Sequence, residues 1–71
     1  MSPDKMVHMA NQIAAFFRSQ SGDTAEGIAA HLSDFWEPRM RRQLIDHIAE
    51  GGAGLDAEVL AAAKLMRAPA E

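Results

Sequence analysis

The stretch HLSDFWEPRMRRQL, residues 31–44, contains the chain's only tryptophan and three arginines within seven positions. Pro38 disfavours helical geometry at the residue before it, so a helix that carries Leu32 should end near Trp36. Proline is well tolerated at the first position of a helix, so Pro38 can also start the next one. The stretch therefore predicts two helices that meet at a bend between Trp36 and Pro38.

Two helices are predicted on the N-terminal side of this bend. Ser2-Pro3 supplies a capping side chain and then a proline at the first helical position, and this helix should run to about Gln20. Asp23 and Glu26 have the spacing of a capping box for the second helix. The apolar side of the first helix is formed by Met6, Met9, Ala10, Ile13, Phe16 and Phe17, and that of the second by Ala25, Ile28, Leu32, Phe35 and Trp36.

Two further helices are predicted on the C-terminal side. Gly51-Gly52 can end the third helix in the left-handed conformation. Asp56 can cap the fourth, with Leu55 packed on Leu60 as a hydrophobic staple. The inner side of the third helix is formed by Met40, Leu44, Ile45 and Ile48, and that of the fourth by Val59, Leu60, Ala63 and Met66. Residues 68–71 are predicted to form a frayed tail.

Length and composition predict a single domain over residues 1–71. The four helical patterns and the lack of strand signals predict an all-α fold, a small compact bundle of about four short helices. A domain of this size buries only about 60% of its unfolded surface, so a partner, a metal or disulfides usually add to its stability. The chain has no cysteine, which excludes disulfides and thiolate zinc sites and suits a reducing cytoplasm. The composition leaves open whether a partner protein stabilises the chain.

Several other classes of function are disfavoured. No apolar run approaches the ~20 residues of a membrane helix, and the N-terminus lacks the pattern of a secretory signal, so we expect no membrane contact. A net charge of −3 argues against a general nucleic-acid binder. His8, His31 and His47 show no i, i+4 pair, so boundary or surface roles are expected in place of metal binding or catalysis. The GGAG run at 51–54 lacks the Lys and Ser/Thr of a phosphate loop.

The arginines after the bend point to a binding surface. Arg39, Arg41 and Arg42 stand in the first turn of the third helix, where each exposed cation is unfavourable by about 0.3–1 kcal/mol. Tryptophan and arginine are also enriched at binding hot spots. We therefore predict a partner-binding corner formed by Trp36, Arg39, Arg41 and Arg42. The alternative is a solvated basic turn beside a tryptophan that belongs to the core.

The three arginines differ in their predicted orientation. Arg39 and Arg42 should point outward together, which makes them the better candidates for direct contact with a partner. Arg41 falls between Met40 and Ile45 on the apolar arc. It must therefore extend its charged end to the surface or meet a carboxylate.

Three stretches of the chain resemble a known family. They are MSPDKMVHMANQIAAFF at the start, HLSDFWEPRMRRQLIDHI in the middle and GGAGLDAEVLAAA near the end. Together they resemble the delta subunit of cytoplasmic, NAD-dependent, molybdenum-containing formate dehydrogenases, over nearly the whole chain. The most specific parts are residues 9–13, the run Phe35-Trp36-x-Pro38-Arg39-Met40-Arg41, and Gly51-Gly52-x-Gly54-Leu55.

The resemblance implies a small cytoplasmic accessory subunit with no catalytic residues and no cofactor of its own. In that family the alpha subunit carries a molybdenum cofactor and iron–sulfur clusters. The beta and gamma subunits carry flavin and further clusters and pass electrons from formate to NAD. The implied role is to support assembly or stability of the alpha subunit. Two alternatives remain: a transient chaperone for molybdenum cofactor insertion and, less favoured, a nucleic-acid-binding regulator that uses PRMRR as the start of a recognition helix.

Overall fold

The computed structural model describes residues 2–66, which form four helices and contain no strand. The helices are α1 (Pro3–Arg18), α2 (Thr24–Phe35), α3 (Pro38–Ala49) and α4 (Ala57–Leu65). The all-α expectation is confirmed, and α1 ends two residues before the predicted Gln20. The predicted frayed tail, residues 68–71, lies outside the described residues. The single domain over residues 1–71 therefore stays a prediction.

The first two helices begin with the caps that the sequence predicts. The Ser2 hydroxyl accepts a hydrogen bond from the Lys5 N–H at 3.2 Å. The Asp23 carboxylate accepts one from the Glu26 N–H at 2.9 Å. Each bond satisfies one of the amide groups that the first turn of a helix leaves without a partner. The N-cap residues of α3 and α4 are Glu37 and Asp56, and neither side chain caps its helix.

The bend between α2 and α3 consists of two extended residues. Trp36 has φ −84° and ψ 138°, and Glu37 has φ −63° and ψ 151°. The Trp36 N–H still bonds to the Leu32 carbonyl oxygen at 3.1 Å, so the chain leaves the helical path only after its last hydrogen bond. This turn directs the indole into the core, where Trp36 is only 6% exposed.

The core lies where α1, α2 and α4 meet, with one fully buried residue from α3. α1 contacts all three other helices, and α2 packs most extensively against α4. Small side chains let these helices approach closely, which gives a small domain dense packing. The buried residues are Met6, Ala10, Ala14, Ile28, Ala29, Leu32, Trp36, Leu44, Val59 and Ala62.

The structure corrects the predicted apolar sides of α1, α2 and α4. Phe16 and Phe35 are 58% and 74% exposed. Phe35 follows His31 by one helical turn and lies toward that side of α2, whereas Ala29 and Trp36 lie toward the buried side. In α4 the fully buried alanine is Ala62, while the predicted Ala63 is only half-buried.

The loop between α3 and α4 is closed by glycines. The Gly52 N–H donates to the His47 carbonyl oxygen and the Gly51 N–H to that of Ile48, each at 3.0 Å. These are the two hydrogen bonds of a Schellman motif. Gly51 has φ 121° and Gly52 has φ 65°, values that other residues adopt only at a cost. The predicted end of the third helix at this glycine pair is confirmed. The Leu55–Leu60 staple stays a prediction.

Two side chains attach this loop to the helices beside it. The Asn11 Nδ2 donates to the Gly54 carbonyl oxygen at 2.9 Å, and its Oδ1 accepts from the Asp56 N–H at 2.9 Å. The His47 Nε2 lies 2.9 Å from the Ala53 carbonyl oxygen. Because a carbonyl only accepts, this nitrogen carries the proton. The start of α4 is therefore bound to the middle of α1 through the two ends of one amide.

An exposed ion pair joins the end of α1 to the start of α4. The Arg18 Nε lies 2.7 Å from the Glu58 Oε2, and an Arg18 terminal nitrogen lies 3.1 Å from the Asp56 Oδ2. The hydrogen bond from Arg18 holds the pKa of the Glu58 carboxyl below its ordinary value. The arrangement also suits both helix dipoles, because it places a cation at a C-terminus and carboxylates at an N-terminus.

Candidate partner-binding surface

The structure places Trp36, the first residue of the predicted corner, in the core. A partner-binding corner that includes Trp36 implies an exposed indole, and this implication is wrong, because the extended backbone of Trp36 turns the indole inward. Trp36 nevertheless lines the floor of a surface groove between α1 and α2. A contribution of Trp36 to partner binding stays a prediction, and it would act from beneath the surface.

Arg41 has a role within the chain. One terminal nitrogen of its guanidinium donates to the Trp36 carbonyl oxygen and lies 3.4 Å from the Ser33 carbonyl oxygen. These carbonyls belong to the last turn of α2, the negative end of that helix. A cation that is unfavourable at the start of α3 is therefore stabilised by the end of α2. Arg41 meets carbonyls in place of the carboxylate that its sequence position suggested.

The other two arginines differ in exposure. Arg39 is exposed and Arg42 is half-buried, so they do not share one fully outward face. The first turn of α3 contains no acidic residue, and its N-cap Glu37 makes no capping hydrogen bond. The start of α3 therefore presents positive charge and Arg39 to solvent, on a chain whose net charge is −3.

An apolar concave surface lies between α1 and α2, and we call it the aromatic groove. Its volume is about 430 Å³. None of its lining residues carries a formal charge at neutral pH with histidine neutral, and two of them are the exposed Phe16 and Phe35. The lining residues are Met9, Gln12, Ile13, Phe16, Phe17, His31, Phe35 and Trp36.

Four rings form a continuous row along the aromatic groove. The centroids of Phe16 and Phe17 are 5.1 Å apart with an interplanar angle of 87°, and those of Phe17 and His31 are 5.8 Å apart. The His31 and Phe35 centroids are 4.8 Å apart. Edge-to-face and offset contacts of this kind favour fixed ring positions. The row holds the exposed rings against α1 and α2.

Gly27 makes room for the centre of this row. A Cβ atom at residue 27 would lie 2.6 Å from the Phe17 Cδ1 atom, far inside van der Waals contact. Glycine within a helix is otherwise unfavourable by about 1 kcal/mol relative to alanine. The Gly27 position is thus explained by the close approach of Phe17 to the α2 backbone.

Sequence reasoning missed the aromatic groove because it assigned Phe16 and Phe35 to the core. One signal was available in α1. The buried row Met6, Ala10, Ala14 advances by four residues each time, and Phe16 falls to one side of it. An apolar residue beside a complete i, i+4 row is a candidate for an exposed position.

A second groove lies between α3 and α4. Its volume is about 450 Å³, and Lys64 contributes a charge to its lining. Ile45, predicted to face inward, is half-buried here. The full lining is Ile45, Ile48, Gly51, Leu60, Ala63 and Lys64. None of the strongly exposed large apolar residues lies in this groove.

The chain offers no thiolate ligand for a molybdenum centre or an iron–sulfur cluster. The chain contains no cysteine. Within residues 2–66, no three His, Asp or Glu side chains are grouped so that they could hold a metal ion. His31 belongs to the aromatic row, His47 lies in the last turn of α3 and contacts the Ala53 carbonyl oxygen, and His8 is exposed. In the same part of the chain, no helix has the length and apolar character needed to cross a membrane.

Comparison with known proteins gives one positive result. Curated protein sequences give no significant match. The model of the NADH-dependent formate dehydrogenase delta subunit family, FdsD, matches residues 5–63 of the 71-residue chain. The matched region runs from the first turn of α1 into the last turns of α4, so it includes α2, α3, most of α1 and α4, and the residues that line the aromatic groove. The chain therefore belongs to the formate dehydrogenase delta subunit family.

Proposed function

We propose that the chain is a non-catalytic accessory subunit of a cytoplasmic NAD-dependent molybdenum formate dehydrogenase complex. In this role it supports the assembly or stability of the alpha subunit, which carries out formate oxidation. The molybdenum cofactor, iron–sulfur clusters, flavin and NAD are held by the alpha, beta and gamma subunits. The observation that carries this proposal is the family match over residues 5–63.

The contacts made by several charged side chains support an accessory role for the chain. Asp23 caps α2, and Asp56 and Glu58 pair with Arg18. Arg41, one of the three arginines that follow the bend, is bound to the end of α2. Each of these groups makes a contact within the chain that stabilises the fold and needs no partner.

The surface supports a role in binding protein. Phe16 and Phe35 expose most of their area, although a chain this small has few apolar side chains available for its own core. Apolar patches with a polar rim mark interaction sites on soluble proteins. A partner that binds only the folded chain would also stabilise it by mass action.

The test is to purify the complex from cells that express all subunits, with and without this chain. The chain should co-purify in fixed stoichiometry with active, cofactor-loaded complex. In its absence, less alpha subunit should be found in the complex, or the complex should lose activity faster on storage or heating. Recovery of the chain only with cofactor-free alpha subunit would identify it as a transient chaperone. Failure to co-purify with any subunit would refute the proposed function.

A further inference from the structure

We propose that the aromatic groove is the docking surface for the alpha subunit. Its occupant is an uncharged, apolar helix face of that subunit, with an acidic side chain just beyond the end that lies near Arg39. The assignment rests on the proposed function, which supplies the partner. It goes beyond that function by naming the face of this chain that makes contact and the chemistry of what it contacts.

Two large apolar side chains beside the groove are left uncovered by the described part of the chain. Phe16 is 58% exposed and Phe35 is 74% exposed, and both border the same groove. Burying a phenylalanine ring is among the larger favourable contributions that one side chain can make to binding. Aromatic side chains at the centre of a patch are also typical hot-spot residues. The groove therefore offers two anchors that become buried only when something covers them.

The surface of the aromatic groove is already formed before a partner binds. The row Phe16, Phe17, His31 and Phe35 is held by successive ring contacts with centroids 4.8–5.8 Å apart. The floor contains Trp36, which is fixed in the core. A preformed surface loses little side-chain freedom on binding, so more of the contact energy appears as affinity.

The shape of the groove favours a helix as its occupant. The groove is the seam between two packed helices, and most of its lining comes from α1, with His31 and Phe35 on the α2 side. A third helix that lies in such a seam places side chains at i, i+3 and i+4 into the groove. The absence of any formally charged group from the lining means that the inserted side chains should be uncharged as well, since a buried charge without a partner is costly.

One end of the aromatic groove adjoins the positive charge of Arg39. Arg39 follows Trp36 of the groove floor by three residues, so the start of α3 adjoins that end of the groove. This helix start has no acidic residue in its first turn, and the carboxylate of its exposed N-cap residue, Glu37, makes no capping hydrogen bond. A carboxylate of the partner would meet both Arg39 and the positive end of the helix. The charged contact would fix the direction of the bound helix along the groove.

The α3–α4 groove is the weaker candidate for this contact. It is similar in volume, but it contains Lys64 and has no strongly exposed aromatic or large aliphatic residue in its lining. Leu65, 57% exposed on α4, lies outside both grooves and serves as a matched control for the loss of an exposed apolar side chain.

The experiment adds purified variants of the full chain to formate dehydrogenase complex prepared without its delta subunit and measures the dissociation constant. The Phe16→Gln, Phe35→Gln double variant should bind at least tenfold more weakly than the wild type. Leu65→Gln should bind within twofold of the wild type. Phe16→Leu with Phe35→Leu should recover most of the affinity, because it restores apolar area. Circular dichroism confirms folding, and Phe35→Gln alone provides a test at the more exposed position.

Salt dependence tests the charged end of the groove. Wild-type affinity should fall as ionic strength rises, and Arg39→Glu should both weaken binding and remove most of that dependence. An Arg39→Glu variant that retains wild-type affinity and salt dependence would show that no acidic side chain of the partner meets Arg39.

The outcomes separate this inference from the proposed function. If the wild type binds and the Phe16, Phe35 double variant binds within twofold of it, the docking surface lies elsewhere, while the proposed function stands. If the wild type does not bind the delta-free complex, both are overturned. If the wild type is a dimer that the double variant abolishes, and binding to the complex is unchanged, the groove joins two copies of this chain and the assignment is wrong.

Discussion

Replacing Asn11 by alanine should destabilise the protein through the α3–α4 loop, although the residue lies in the middle of α1. The side chain makes two hydrogen bonds, one to the Gly54 carbonyl oxygen and one from the Asp56 N–H, each 2.9 Å long. Their partners are 43 and 45 residues away in the sequence, so no other local group replaces them. Alanine keeps the helix of α1 intact and removes both bonds.

The expected magnitude follows from these two bonds. A hydrogen bond contributes about 0.5–1.5 kcal/mol net, so the loss of two lowers the free energy of unfolding by about 1–3 kcal/mol. A domain of this length has a total stability of roughly 4–11 kcal/mol, so the change is a large part of it. At about 4–8 °C per kcal/mol, a loss of ~2 kcal/mol lowers the melting temperature by ~8–16 °C. The better helix propensity of alanine reduces this by about half a kcal/mol.

The measurements are thermal and urea unfolding, together with amide hydrogen exchange. The Asp56 amide should lose protection in Asn11→Ala, because its acceptor is removed. Gln12→Ala is the matched control, since Gln12 is the exposed next residue of the same helix and should change stability by less than about 0.5 kcal/mol. An Asn11→Ala protein with wild-type stability and an equally protected Asp56 amide would show that the link between α1 and the loop is unimportant.

Three further predictions concern other parts of the chain. Gly27→Ala should lower stability by up to about 2 kcal/mol in thermal unfolding, despite better helix propensity, because the added methyl overlaps the ring packed against it. The Arg18 hydrogen bond depresses the pKa of Glu58, so its stabilisation is present above the ordinary value of about 4.5 and is lost as pH falls through the lowered value. Glu58→Gln should therefore flatten the stability–pH curve below that pH, and an unchanged curve would contradict the pairing. Arg39→Glu with Arg42→Glu should keep helicity, because acids favour a helix start, and should be depleted from purified complex. Full stoichiometry of this variant in the complex would show that the start of α3 is not part of the contact.

The helices and most of their ends could be predicted from the sequence because the signals are local. Ser2 and Asp23 bond to amides three residues away, and Pro38 restricts the residue before it. The glycine pair at 51–52 supplies the positive φ that ends α3. Each of these effects acts within one helical turn, so the chain around the residue is sufficient to determine it.

The candidate surface could be predicted only in part. The arginine cluster after the bend was visible as an unusual helix start, and Arg39 is indeed exposed. The task of Arg41 was not visible, because its partners are carbonyls at the end of a different helix. The aromatic groove was not visible either, since periodicity identifies an apolar side of a helix without identifying what covers it.

The end of α2 shows the boundary between the two kinds of information most directly. Periodicity places both Phe35 and Trp36 on the apolar side, and the sequence by itself determines that the helix stops between them and Pro38. Only the tertiary structure decides which ring is buried. Trp36 leaves the helix in an extended conformation and enters the core, whereas Phe35 remains beside His31 with 74% of its area exposed. Burial depends on the helices that pack across a side chain, and those helices come from distant parts of the chain.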